Sequence, residues 1–259
     1  MKRFISLALT LAILATAFCS NALAASSGAG AEKFKDVPKT AWYFPYVDRL
    51  TKDGIISGIS ADKFAPNSNI TFCEFVALII HATVGDLPKA EKGQHWAQNW
   101  MSKANELGVL TSEECPRDKW TQPIPRQAMA LVVVRTLEIV KHEPSVGNTD
   151  EYVKRIGDWD SLCHVCQPYI AQAYAKGIIV GIDGKFKGEQ STTRGEATCV
   201  IVKVIDSSYR AEWHGGIPFS PATDVTETGT MKAGVAEKFI METLANMRYY
   251  KENGTFVLC

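Results

Sequence analysis

The 259-residue sequence has no excess of charge: 28 basic side chains stand against 28 acidic ones. A nucleic-acid binder needs a basic surface to displace counterions, so this balance argues against one. Long apolar runs are missing after residue 18, and nothing beyond the N-terminal segment is expected to enter a membrane. Gly-x-Ser-x-Gly, His-Glu-x-x-His and the phosphate-binding loop are all absent, and the histidines are scattered. Paired glycosidase carboxylates meet only in space, and nothing in the sequence points to them. The chain is therefore read as noncatalytic, without cofactor or metal. Its single C-x-x-C, Cys163-His164-Val165-Cys166, lacks the second Cys or His pair that a zinc site needs. It also lacks the preceding strand of a thioredoxin-type redox helix, so a disulfide within the pair, or one to Cys199, is the expected state, with free thiols left open.

What is present begins with Met1-Lys2-Arg3, an apolar run from Phe4 to Phe18 and small residues around Ala24. This is the layout of a secretory signal peptide over residues 1–24. Without that segment, which holds Lys2 and Arg3 and no acid, 26 basic and 28 acidic residues leave a formal charge of −2. At 46% hydrophobic residues with six tryptophans, the chain can build a real core. It is too long and apolar for a disulfide-framework miniprotein, although export would permit disulfides.

One pattern recurs three times. The first copy runs Asp36-Val37-Pro38, Trp42, an apolar stretch ending at Gly54, Ile55-Ile56-Ser57-Gly58, Lys63-Phe64, then Thr71-Phe72-Cys73-Glu74. The third runs Asp158, Pro168, a stretch ending at Gly177, Ile178-Ile179-Val180-Gly181, Lys185-Phe186, then Thr193-Arg194-Gly195-Glu196. The second is more worn: Trp96, Gly108-Val109-Leu110, Lys119-Trp120, Pro125-Arg126-Gln127. Each copy predicts two helices, the first stopped by its glycine. Apolar stripes such as Tyr46, Val47 and Leu50, or Met129, Val132 and Val133, read as core. No two-helix unit buries both faces alone, so the three must pack together. Trp42, Trp96 and Tyr169 lie at or near the core-facing stripe, where packing outranks stacking on a ligand.

Thr193 with Glu196, and Thr71 with Glu74, fit capping boxes. That explains the threonines and glutamates but not Arg194, a cation placed at the positive end of a helix dipole. An arginine fork beside free helix amides suits a carboxylate or phosphate; a tie to Asp158 or Asp183 is the structural alternative. Asp36 and Asp158 stand where a helix cap is useful, so capping precedes ligand binding for both.

This order of motifs resembles the S-layer homology repeat. The resemblance covers roughly residues 34–206 and implies an all-α, pseudo-threefold domain of three helix-loop-helix repeats. It further implies inter-repeat grooves that bind secondary cell-wall polysaccharide, often carrying a pyruvate ketal, with S-layer or other surface proteins as further partners. The family's groove arginine carries over to Arg194 and, on a poorer motif, to Arg126. Thr193, Glu196, Asp158, Asp36 and Trp42 complete the expected ligand set. Phe72 replaces the arginine in the first copy, and Pro125 and Ala128 replace the threonine and glutamate in the second. At most two grooves are therefore expected to bind, the third copy contributing most.

The predicted organisation is a signal peptide over 1–24, repeats over 34–84, 92–141 and 155–206, and a linker over 207–230. A helix and possible β-hairpin come after it over 231–259, the hairpin turning at Asn253-Gly254.

Overall fold

A computed structural model describes residues 29–214 and 217–219. The predicted signal peptide and the C-terminal helix and hairpin lie outside them. The predicted all-α class holds. Unit one supplies α1 (Phe44–Lys52) and α2 (Phe72–Val84), and unit two supplies α3 (Gln98–Leu107) and α4 (Arg126–Arg135). A single turn, α5 (Asp150–Val153), precedes the α6 (Gln167–Ala175) and α7 (Arg194–Ile205) of unit three. Among the described residues, no helix is long and apolar enough to cross a membrane.

The stops of the first helices share one geometry. Gly54, Gly108 and Gly177 have φ of 73°, 76° and 67°, a left-handed conformation that costs glycine least. Beyond each glycine, two successive amides fold back onto one carbonyl: Ile55 and Ile56 onto Leu50, Val109 and Leu110 onto Ala104, Ile178 and Ile179 onto Ala173. The worn second copy keeps this closure intact.

The helices then exchange partners. Each second helix packs chiefly on the first helix of the next unit: α2 on α3, α4 on α6, and α7 back on α1. At the centre, three extended residues close a ring of backbone hydrogen bonds. Ile70 donates to Thr192 (2.9 Å), Thr192 to Ile124 (3.0 Å) and Ile124 to Ile70 (3.0 Å). All three residues are buried. Around the ring, the first two amides of each second helix donate to loop carbonyls of a neighbouring unit. Phe72 and Cys73 reach Gln122 and Trp120, Arg126 and Gln127 reach Gln190 and Gly188, and Arg194 and Gly195 reach Ser68 and Pro66.

Most predicted stripes are core, including Tyr46, Val47, Leu50, Phe75, Ile79, Met129, Val132, Val133, Ala197, Ile201 and Val204. Trp42 and Trp96 are not: they are 57% and 53% exposed. Each precedes its helix, and a residue outside the helical repeat is not bound to the buried stripe. The polar stretch read as a linker between units two and three is tied down. The Glu143 carboxylate accepts from both terminal nitrogens of Arg210 (2.7 Å each) and from Lys176 (2.8 Å). The segment expected as a plain linker from residue 207 starts with a helical turn, Ser207–Tyr209. An antiparallel pair comes next, β1 (Glu212–His214) with β2 (Ile217–Phe219).

Stability should respond to change at two of these places. Hydrogen bonds from Arg210, with Lys176 next, hold the Glu143 carboxyl at about 2, down from 4.5. Its folded pKa being the lower one, the stabilisation is complete above about pH 4.5 and fades as pH falls toward 2. Glu143→Gln should therefore cost about 1–3 kcal/mol at pH 7 after solvent screening, and little at pH 2, in paired urea titrations. The Thr192 hydroxyl is buried on the central ring without a hydrogen-bond partner among the described residues. Thr192→Val keeps the shape and removes the stranded group, so the urea midpoint should rise by the equivalent of about 1 kcal/mol.

Candidate functional site

Both predicted capping boxes form. Thr193 Oγ1 accepts from the Glu196 amide (3.3 Å) while Glu196 Oε2 accepts from the Thr193 amide (2.8 Å), and Thr71 with Glu74 does the same at 3.4 and 2.8 Å. With the first two helix amides donating to a neighbouring unit and the third to threonine, none of these three is free for an anion. The expected pairing of arginine with free helix amides is therefore not formed. Pro125, in the place of the capping threonine, stands just before α4 and offers no side-chain cap.

The arginines reach across unit boundaries. Arg194 Nε donates to the Phe64 carbonyl (3.0 Å), its guanidinium lies 4.8 Å from the centre of the Phe64 ring, and Nη1 is 3.8 Å from Glu74 Oε1. Arg126 repeats this one unit away: Nε to the Phe186 carbonyl at 2.9 Å, guanidinium 5.4 Å from the Phe186 ring, Nη1 3.8 Å from Glu196 Oε1. Neither Asp158 nor Asp183 ties down Arg194. Burial lowers the proton affinity of both guanidinium groups, opposed by Glu74 for Arg194 and Glu196 for Arg126. An arginine nevertheless stays charged at any working pH.

Thr193-Arg194-Gly195-Glu196 therefore does not make one site. Arg194 faces the Glu74 of unit one, while Glu196 faces the Arg126 of unit two. A cavity of about 260 Å³ opens at the first of these pairs. Its walls include Ser57 and Gly58 of the loop after α1, Glu74, Leu78, Arg194, and Trp96 from the start of unit two. The packing of α7 on α1 brings the start of unit one toward the second pair, and there Trp42 holds the register position of Trp96, each twelve residues before its glycine. Tyr43, beside Trp42, lies against Gly195. In the same register the third groove takes Phe72 for the arginine, Ala128 for the glutamate and Val165 for the tryptophan. Each unit contributes one of these three replacements.

Asp36 and Asp158 play a different part from the helix caps expected of them. Asp36 accepts from the Phe64 and Ala65 amides (2.8 and 2.7 Å), and Asp158 from those of Phe186 and Lys187 (2.6 and 2.8 Å). Ala65 and Lys187 both hold positive φ, at 59° and 56°. Each aspartate thus clamps the turn whose phenylalanine carbonyl receives an arginine, supporting the groove from behind. Sequence reasoning missed these phenylalanines, although Lys-Phe recurs and lies 28 residues after the aspartate in both copies. Among the described residues, no cluster of three His, Cys, Asp or Glu could hold a metal.

The profile of the S-layer homology domain matches residues 33–76 and 164–198, within the first and third units. The chain is similar to an endoglucanase of Bacillus sp. (strain KSM-635), 28% identical over 78% of this chain and 22% of that protein. It is also 33% identical to the surface-layer 125 kDa protein of Lysinibacillus sphaericus, over 45% of this chain and 11% of the relative. A middle cell wall protein of Brevibacillus brevis is 30% identical over 34% of this chain and 8% of its own length. The chain thus spans about a fifth or less of these relatives.

Asp158→Ala should loosen the turn at Lys185–Lys187 and destabilise the fold by about 1–3 kcal/mol, since two charge-assisted bonds to backbone amides are lost together. Thermal unfolding measures the cost. Accelerated amide exchange at Phe186 and Lys187, with α3 unaffected, would locate it.

Proposed function

Because the S-layer homology profile matches two stretches of the chain, we propose that it grips secondary cell-wall polysaccharide in two grooves, one built on Arg194 and one on Arg126. The profile match and the surface-layer and cell-wall relatives put the protein at the bacterial cell surface, exported and in an anchoring role.

The observation that carries it is the convergence of Trp96, Arg194 and Glu74 on one open cavity. An exposed indole offers a flat face for the C–H side of a sugar ring. The guanidinium supplies donors and the carboxylate acceptors, the complement of a ring of hydroxyls. The pair is neutral as a whole, so the groove is no general trap for anions. A pyruvate ketal would add a charge-assisted bond to the terminal arginine nitrogens. The volume, slightly under the roughly 300–1,000 Å³ of typical small-molecule sites, fits about one sugar unit.

A second reading, assembly through protein contacts, draws on the third groove, which lacks arginine, glutamate and tryptophan together. That groove is assigned no sugar. The likeness to an endoglucanase takes in 22% of that enzyme, and no catalytic role is carried over from it.

Calorimetric titration with purified wall-polysaccharide fragments should find two sites per chain. Trp96→Ala and Trp42→Ala, both at exposed positions, should each remove one site, and Arg194→Ala should act on the same site as Trp96→Ala. Phe72→Ala should leave both. Acid removal of the ketal should weaken binding about tenfold or more, the worth of one charge-assisted bond. Three sites, or binding that survives the double tryptophan variant, would overturn the two-groove reading. Affinity indifferent to ketal removal would overturn the carboxylate alone.

A further inference from the structure

The Cys163-His164-Val165-Cys166 segment has no part in the two sugar grooves, yet its geometry is that of a reacting dithiol. It forms the turn that leads into α6, with Cys166 as the residue just before the helix. The Cys163 carbonyl accepts from the Cys166 and Gln167 amides (2.8 and 3.0 Å), which folds the segment into a tight turn. The turn therefore carries one cysteine at each end, three residues apart. The two cysteines are also unequal. The Cys166 sulfur is the more buried, and desolvation first, then Cys163, pushes its pKa up to about 12. Cys163 shifts the other way because the Cys166 thiol hydrogen-bonds to it, with the amides adding to this and the Glu189 carboxylate opposing it. Among the described cysteines all are free thiols, so neither the disulfide within the pair nor the bridge to Cys199 expected from sequence is formed.

We propose that Cys163 and Cys166 are a thiol–disulfide exchange site, with Cys163 as the attacking thiolate and Cys166 as the resolving thiol. The co-reactant is a disulfide, of a surface protein or of a small thiol such as glutathione. In the first step the Cys163 thiolate attacks one sulfur of that disulfide. A mixed disulfide forms and one thiolate leaves. Cys166 then gives up its proton and attacks the Cys163 sulfur, forming the Cys163–Cys166 disulfide and expelling the second thiolate. The protein loses two electrons and two protons, and the co-reactant is reduced to two thiols. A strand before the helix is not required by this chemistry. What it requires is an accessible sulfur stabilised as thiolate, with a second thiol close by in the chain. This inference is independent of sugar binding: the dithiol lies at the rim of the third groove, where the other two carry tryptophan.

The test uses the full chain in a Cys259→Ser background, reduced, freed of reductant and exposed to oxidised glutathione at pH 7. Samples quenched in acid are alkylated and mapped by mass spectrometry. The reduced chain should gain a Cys163–Cys166 disulfide without lasting adduct. Cys166→Ser should accumulate glutathione on Cys163, about fivefold or more faster than on Cys199, the other half-exposed thiol. Cys163→Ser should form no adduct at Cys166. Glutathione on Cys199 in preference to Cys163, or no trapped adduct in Cys166→Ser, would overturn the assignment. So would a disulfide from Cys163 to any cysteine other than Cys166.

Discussion

The ring of three hydrogen bonds joining Ile70, Thr192 and Ile124 is the constraint on which the remaining geometry depends. It fixes three extended segments, from residues far apart in sequence, around one buried axis. Each segment runs directly into a second helix, so the ring sets where α2, α4 and α7 begin and which way they point. Once those starts are set, their leading amides find carbonyls on the neighbouring unit, and each helix lies against the first helix of the next. The chain ends up closed on itself, with α7 packed on α1. Separating one unit would expose an apolar helix face on both sides and leave paired amides bare, so the three units should stand or fall together.

That closure also determines what a groove is. Every groove is assembled from all three units: one gives the loop and the glutamate, the next gives the aromatic position, and the preceding one gives the arginine. The arginine is held rather than merely nearby. Its Nε is used on a backbone carbonyl and its plane lies over a phenylalanine, which leaves the terminal nitrogens directed at the glutamate and the cavity. The aspartate behind the phenylalanine keeps that carbonyl in place by gripping the phenylalanine's own amide and the one after it. A chain of contacts thus runs from Asp36 through the Phe64 turn to Arg194, and from Asp158 through the Phe186 turn to Arg126.

The helices, the glycine stops, the capping boxes and most of the core are legible in the sequence, because each depends on residues within one turn of each other. Arg194 is also legible, since a cation at the start of a helix breaks a local rule. Its partners are not. Phe64 and Glu74 lie more than a hundred residues earlier, and nothing in a helical period announces which unit an arginine will reach. The two tryptophans mislead for a related reason: they stand just before their helices, where the stripe that locates a core residue has not yet begun. The tie from Glu143 to Lys176 and Arg210 is hidden by composition, since a polar stretch with proline and glycine looks the same whether it is free or clamped. Cys163 and Cys166 escape a search for a preceding strand, which tests the fold where the local geometry of the turn is what matters.

The divergence of the repeats makes sense only when counted by groove. Along the chain, the first copy has lost an arginine, the second a glutamate and a threonine, and the third a tryptophan, which looks like uniform wear. Counted by register around the axis, Phe72, Ala128 and Val165 fall in one set of positions, and the other two sets keep arginine, glutamate and tryptophan. An arginine without its carboxylate is a buried charge with one partner fewer, and a carboxylate without its arginine likewise, so the replacements cost less together than apart. The intact third-copy signature is then no better site than the others: it lends its arginine to one groove and its glutamate to another. The segments that carry Phe72, Ala128 and Val165 still supply the ring, the loop closures and the helix packing, so they remain necessary to the geometry of the two sets that keep arginine, glutamate and tryptophan.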